Sequence, residues 1–202
     1  MQLSRPIKKF LRGRWLSNIP MVVGLTGPNA SGKGEAANYL RSKGYIYHSL
    51  SDILREECRN SGIDPSRENL IKLGNKLRRK EGPSILARRV TEDLREAGNN
   101  IVDSIRNPAE VSELRRIKDF VLIGLDAPVE IRFKRSMKRK RPGDAHTLRE
   151  FIKGEEKENK EDVENQQLKK CLELADVVII NDSTLTELHK KIDGAIKTNK
   201  KA

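Results

Sequence analysis

Apolar residues gather into five short runs, at residues 21–26, 45–49, 100–104, 120–126 and 177–180. None alternates with polar residues as a half-exposed strand does, so each predicts a strand buried on both faces. The intervening segments carry helical patterns. They predict helices over 33–42, 51–60, 65–80, 83–97, 108–118, 128–140 and 184–196, with 146–174 largely helical and very polar. Ser51-Asp52 can cap a helix start, and Pro65 and Pro83 sit near the first turns of theirs. A strand followed each time by a helix predicts a parallel sheet with helices on both faces. Ligands of such sheets lie at the carboxyl ends of the strands, which is where candidate chemistry is to be sought.

The chain has 202 residues, the size of one α/β domain, and length alone leaves no room for two large ones. Charged residues make up 35% and aromatics 4%, against a β-sandwich and against a membrane protein. No apolar run approaches the ~20 residues that span a bilayer, and no signal peptide is visible. Cys58 and Cys171 lie far apart in helical segments and read as buried thiols of a reducing compartment, hence a cytoplasmic protein. These cysteines and His48, His146 and His189 show no metal-ligand spacing.

The net charge of +12 is concentrated. Residues 1–20 hold Arg5, Lys8, Lys9, Arg12 and Arg14 with no acid; residues 132–141 hold Arg132, Lys134, Arg135, Lys138, Arg139, Lys140 and Arg141, again with none. Elsewhere basic and acidic residues balance, so each patch is expected to meet something anionic. Residues 1–20 read as a basic extension, 21–197 as the folded domain with a lid or insert at about 132–165, and 198–202 as a tail.

Chemistry stands after each strand. The first is followed by Gly27-Pro28-Asn29-Ala30-Ser31-Gly32-Lys33, the G-x-x-x-x-G-K pattern of a phosphate-cradling loop. Its backbone N–H groups and the helix start supply positive ends, and Lys33 supplies a mobile charge. The Ser or Thr that normally follows the lysine to help hold Mg2+ is Gly34, and Glu35 comes next; that carboxylate could reach Mg2+ through water or simply face solvent.

After the second strand, Arg55 and Asp52 suit a second phosphate-bearing ligand, or Arg55 pairs with Glu56 or Glu57. After the third, Asp103 is placed to hold metal waters or orient the acceptor, with Arg106 in the same crevice; the alternative is that Asp103 caps the helix from Pro108. After the fourth, Arg132, Arg135 and Arg139 recur on one helical face, and the segment beyond, with Gly143 and Gly154, suits a lid. After the fifth, Asn181-Asp182-Ser183-Thr184 would lie under a base or cap the last helix.

With these residues in view, the chain resembles the nucleotide-kinase branch of the P-loop NTPases over residues 21–196. It is similar to nucleoside monophosphate kinases at Gly32-Lys33-Gly34 and at Asp52-Ile53-Leu54-Arg55. It is similar to them again at Asp103 to Arg106, although their D-G-[FI]-P-R has one residue more before its arginine. The run Ala175-Asp176-Val177-Val178-Ile179-Ile180-Asn181-Asp182 resembles dephospho-CoA kinases. Glu81-Gly82-Pro83 with Asp103-Ser104-Ile105-Arg106-Asn107 resembles small archaeal and bacterial proteins related to dephospho-CoA kinase and adenylate kinase.

The resemblance implies a three-layer α/β/α P-loop NTPase fold with a five-stranded parallel sheet and a helical lid. It implies ATP and Mg2+ at Gly27, Asn29–Gly34 and Asn181, with Arg135 flanking the donor base and Arg139 the phosphates. Metal contact is expected from Asp103 through water and from Glu35. The acceptor would meet Asp52, Arg55 and Arg106, with Lys33, Asp103, Arg135 and Arg139 serving the transfer. A nucleoside or deoxynucleoside monophosphate is the expected acceptor, and a ribose hydroxyl as in dephospho-CoA the alternative. A module switched by ATP that grips nucleic acid or protein through the basic patches is the rival from another class. The partner is then a nucleotide substrate, with no membrane, and the chain a monomer or homodimer.

Overall fold

The computed structural model describes residues 20–94, 98–139, 144–158 and 165–199. The expectations for residues 1–19, for the tail at 200–202, and for parts of the lid at 140–143 and 159–164 lie outside the described residues. Among those described, five strands and nine helices form in the order β1 (Val22–Thr26), α1 (Lys33–Ser42), β2 (Ile46–Ser49), α2 (Leu50–Asn60), α3 (Arg67–Glu81), α4 (Ile85–Asp93), β3 (Asn100–Ile105), α5 (Pro108–Leu114), β4 (Phe120–Asp126), α6 (Val129–Arg139), α7 (Leu148–Glu158), α8 (Leu168–Glu173), β5 (Val177–Ile180) and α9 (Leu185–Asn199).

The sheet is parallel throughout, in the order β2-β3-β1-β4-β5. β1 lies at its centre, pairing with β3 from Val22–Asn100 onward and with β4 from Val22–Phe120 onward. Its residues are wholly buried, as an apolar run between two neighbours and two helical layers must be. One layer, α2–α5 with α8, packs Leu50, Leu54, Leu86, Val111 and Leu114 against Val22, Val102 and Ile105. The other, α1 with α9, packs Ala36, Leu40, Leu188 and Ile192 against Val23, Leu25 and Ile101. α1 and α9 are also pinned outside the core, where the Tyr39 and His189 rings stack at 3.8 Å and Asp193 accepts from Tyr39 and Lys43.

Several boundaries differ from the sequence reading for local reasons. α2 starts at Leu50 because the Ser49 hydroxyl caps it by accepting from the Ser51 N–H. α4 ends at Asp93, where Leu94 turns extended and is buried. Residues 146–174 are not one helical stretch. Ahead of α8, the Asn165 carbonyl accepts from the Asn107 amide and the Gln167 N–H donates to the Arg106 carbonyl. These bonds divert the backbone from a helical ladder. β5 is not buried on both faces. It is an edge strand that seats Ile179 against the α9 layer and leaves Val178 and Ile180 exposed.

Candidate functional site

The loop between β1 and α1 is shaped by two glycines that no other residue could replace without strain. Gly27 has φ +139°, and a Cβ there would lie 2.0 Å from the Leu125 carbonyl oxygen on β4. Gly32 has φ +110°, and a Cβ there would lie 2.1 Å from the Asn181 amide nitrogen. That nitrogen donates to the Ser31 carbonyl at 2.9 Å, so the residue after β5 closes over the loop. The Lys33 ammonium folds back across the loop, donating to the Gly27 and Pro28 carbonyls at 2.7 and 2.8 Å. Ala30, with φ +59°, completes the bend. Two buried polar atoms of the loop, Asn29 Nδ2 and Ser31 Oγ, have no hydrogen-bond partner, and a phosphate-bearing ligand would supply acceptors for donors of this kind.

Gly34 stands in open space and Glu35 is exposed on the first turn of α1. Among the described residues no three metal-ligating side chains gather into a cluster. Mg2+ is commonly held by one or two carboxylates together with substrate phosphates and waters. Asp103, nearly buried at the tip of β3, suits that use. It accepts from the Tyr47 hydroxyl at 3.0 Å and from the Ser104 N–H, and a carboxylate has further acceptor sites to offer. Burial, first, and the Asp103 charge push the Tyr47 phenol up to about 12, so Tyr47 remains a donor to Asp103. Asp103 does not cap α5. Asn107 does, in a capping box with Glu110.

The arginines of α6 divide into three environments. Arg132 is buried. It donates to the Ala127 carbonyl, pairs with Asp126 and Glu155, and lies over the Phe151 ring. Arg135 donates to the Asn181 carbonyl at 2.9 Å, and its other terminal nitrogen is buried without a partner. Arg139 reaches the loop itself, donating to Asn29 Oδ1 at 2.8 Å and forming a two-pronged pair with Asp144 at 3.0 Å. Burial opposes the Asp144 charge, but the Arg139 hydrogen bonds outweigh it and hold that carboxyl below its usual range. The acid-free run is thus met at both ends by acids from outside it.

Beside the loop opens a cleft of about 620 Å³ that runs from Asn29 between α2 and α3 to Ser104 and Arg106 at the tip of β3. Arg55, Arg67, Arg78, Arg106 and Arg139 all line it, with Asp64, Glu68 and Asp144 as the acids. Its apolar wall is Leu50, Leu54, Leu70, Ile71 and Leu86. Arg55 is half-exposed and pairs with Asp52 one turn away rather than with Glu56 or Glu57. Arg106 donates to Gln166 at 3.1 Å. Its backbone is fixed by Glu110, which accepts from the N–H groups of Arg106 and Asn107 and from the Arg78 guanidinium. Arg78 and Glu110 are almost wholly buried.

Sequence reasoning missed Arg67, Arg78, Asp144 and Gln166. Arg78 left a signal: it lies on the apolar stripe of α3, four residues after Gly74 and eight after Leu70, where a charge needs a buried partner. Gly74 makes the room, since a Cβ there would stand 3.2 Å from Arg78 Nη1.

Comparison with known proteins agrees with this architecture. Residues 23–169 match the family model described as an AAA domain. The chain is 35% identical over 177 residues to a UPF0200/UPF0201 protein of Archaeoglobus fulgidus, covering 85% of this chain but only 53% of that one. It is 31% identical over 183 residues to a UPF0200 protein of Pyrococcus horikoshii, covering 87% of this chain and 96% of that one. Among solved structures, a Thermus thermophilus protein superposes with a TM-score of 0.59 at 20% identity, over 89% of this chain and 98% of that one. A shikimate kinase from Acinetobacter baumannii, in complex with shikimate, superposes at 0.56 and 16% identity, over 89% and 94%. A gluconokinase from Sinorhizobium meliloti does so at 0.52 and 13%, over 89% and 93%. At these identities the likeness is one of fold, that of the P-loop kinases. No helix among the described residues is long and apolar enough to cross a membrane.

Proposed function

The chain belongs to the AAA domain family and to the UPF0200 proteins, and from that premise we propose that it is an ATP-dependent small-molecule kinase whose acceptor is a nucleoside or deoxynucleoside monophosphate. ATP, bound with Mg2+, would supply the phosphoryl group. The chain's own residues do the positioning, which carries most of the rate in such transfers. The loop from Gly27 to Lys33 binds the donor phosphates, and Asn181 holds the loop's shape. Asp103 orients metal-bound water or the acceptor. Arg55 and Arg106 take the acceptor phosphate, and Arg135 and Arg139 neutralise charge on the group in transit. The observation that carries this reading is the cleft itself: it begins at Asn29 of the loop and brings Arg55, Arg106 and Arg139 to one space.

One feature favours a second reading. No aromatic side chain lines the cleft among the described residues, so a base would find only aliphatic walls. A smaller hydroxyl acceptor, or the ribose hydroxyl of dephospho-CoA, fits such walls as well. Superposable proteins include kinases of shikimate and gluconate.

The test is ADP formation from Mg·ATP with nucleoside and deoxynucleoside monophosphates, dephospho-CoA, shikimate and gluconate. Turnover stimulated by one monophosphate supports the first reading, and by one hydroxyl compound the second. Tight ATP binding with no stimulation by any of them overturns both and favours an ATP-switched binding module.

A further inference from the structure

Asp103 and Ser104 are neighbours in the chain but serve different sides of the sheet. β1 and β3 run in register from Val22–Asn100 to Gly24–Val102, then resume at Thr26–Ile105. β3 therefore carries one residue more than its partner at its tip, a β-bulge, a device that re-aims side chains. Val102 and Ile105 both point into the core beneath α2–α5, with two residues between them where a regular pleat allows one. The surplus is absorbed at Ser104, whose φ of +67° is disfavoured for any residue with a Cβ. Asp103 is left on the side of Tyr47, which packs with the α1 layer. Ser104 is turned into the cleft with Ser51, Arg55 and Arg106. The buried Ser49 hydroxyl donates to that of Ser104 at 3.5 Å, a long bond that leaves the Ser104 proton to be turned elsewhere. Glycine would make the same bend without strain. What a serine adds at this position is its hydroxyl, and strained residues of this kind gather where ligands bind.

We propose that Ser104 is an acceptor-binding residue: the bulge aims its hydroxyl at an oxygen of the acceptor phosphate beside Arg106, while the Asp103 carboxylate stays with the Tyr47 hydroxyl. This rests on the reading of the cleft as a monophosphate site. The acceptor phosphate is then recognised by a neutral donor as well as by arginine.

The experiment is calorimetric titration of the full chain, saturated with Mg2+ and a non-hydrolysable ATP analogue, with the ribo- and deoxyribonucleoside monophosphates. It is repeated for Ser104→Ala and Ser104→Gly. Both variants are expected to weaken the tightest-bound monophosphate about tenfold, the size of one hydrogen bond to a charged group, with the affinity for the ATP analogue unchanged. Ser104→Gly, relieved of the left-handed strain, is expected to melt above Ser104→Ala, so a folded variant without the hydroxyl is available. Wild-type affinity in both variants overturns the assignment and leaves the kinase reading standing. Failure of wild type to bind any of the monophosphates overturns the monophosphate reading and this assignment together.

Discussion

The Asn181 side chain occupies the space a Cβ on Gly32 would need, and from there it ties the end of β5 to the phosphate loop. Its own carbonyl accepts from Arg135, so one residue joins loop, edge strand and α6. Gly32→Ala would meet both the left-handed φ, costing about 1–2 kcal/mol, and the Asn181 amide. It is expected to weaken ATP binding by more than tenfold. Asn181→Ala is expected to weaken it about tenfold through loss of the hydrogen bond that shapes the loop. Titration with a fluorescent ATP analogue reads both, and unchanged affinity in both variants would remove the loop from the nucleotide site.

Lys33 is the cation of that loop and lies outside the packed core. Lys33→Ala is expected to reduce acceptor-dependent ADP formation by at least about a hundredfold, as loss of a preorganised charge at the reacting group does. Circular dichroism and the melting temperature should change little. Turnover near the wild-type rate would overturn the mechanism.

The Arg78–Glu110 pair is a stability element in the wall of the cleft. Glu110 is wholly buried and takes two further functions at once: it caps α5 by accepting from the Asn107 N–H and holds the backbone of Arg106. Glu110→Ala would leave the Arg78 charge buried without its partner, and a loss of about 3–5 kcal/mol in urea unfolding is expected. Arg78→Met, which fills the space without charge, is expected to cost less. Equal losses in the two variants would show that the ion pair dominates and that the cap adds little.

Asp144 gives a pH dependence of known sign. Its folded-state carboxyl is held below the usual value by the Arg139 hydrogen bonds, against the cost of burial. The pair therefore contributes stability above the unfolded pKa of about 3.9, and that contribution is lost as pH falls through the lower, folded value. Urea unfolding of wild type and Asp144→Asn at pH 3 and pH 6 reads this. The stability gap should be present at pH 6 and shrink towards pH 3.

Tyr47 titrates in the opposite direction. Its phenol is raised to about 12, chiefly by burial and then by the Asp103 charge. Stability from the Tyr47–Asp103 contact is complete below pH 10 and lost between pH 10 and about 12. Burial raises the Tyr45 phenol as well, so ultraviolet titration should show late ionisation at both, and Tyr47→Phe should remove the Tyr47 share of it.

The order of elements was legible because five apolar runs with no alternation leave little choice but buried parallel strands, each feeding a helix. The phosphate loop was legible because its chemistry is local, seven residues between a strand and a helix. The cleft beside it was legible only in part: Arg55, Arg106 and Arg139 stand after strands, whereas Arg67, Arg78, Asp144 and Gln166 gave no such cue. Its members come from α2, α3, the tip of β3, α6 and the segment at 165–167, and a polar residue buried in such a network imposes no period on the sequence. Arg132 illustrates the limit from the other side. The acid-free run around it pointed to an anionic ligand, yet Asp126 and Glu155 of this chain pair with its guanidinium and take it into the interior. The Ser104 bend was equally hidden, since nothing local requires a serine to turn left.

The central place of β1 bears on how the protein is made. Val22 leaves the ribosome before either of its neighbours, Asn100 on one side and Phe120 on the other. At about 5–20 residues per second, roughly a hundred further residues take about 5–20 seconds to synthesise. For that interval β1, buried along its whole length in the folded protein, lacks one or both of its strand neighbours, β3 arriving before β4. Until β4 emerges the nascent chain presents an incompletely paired hydrophobic strand, and that is the stage at which a chaperone would have the most to hold.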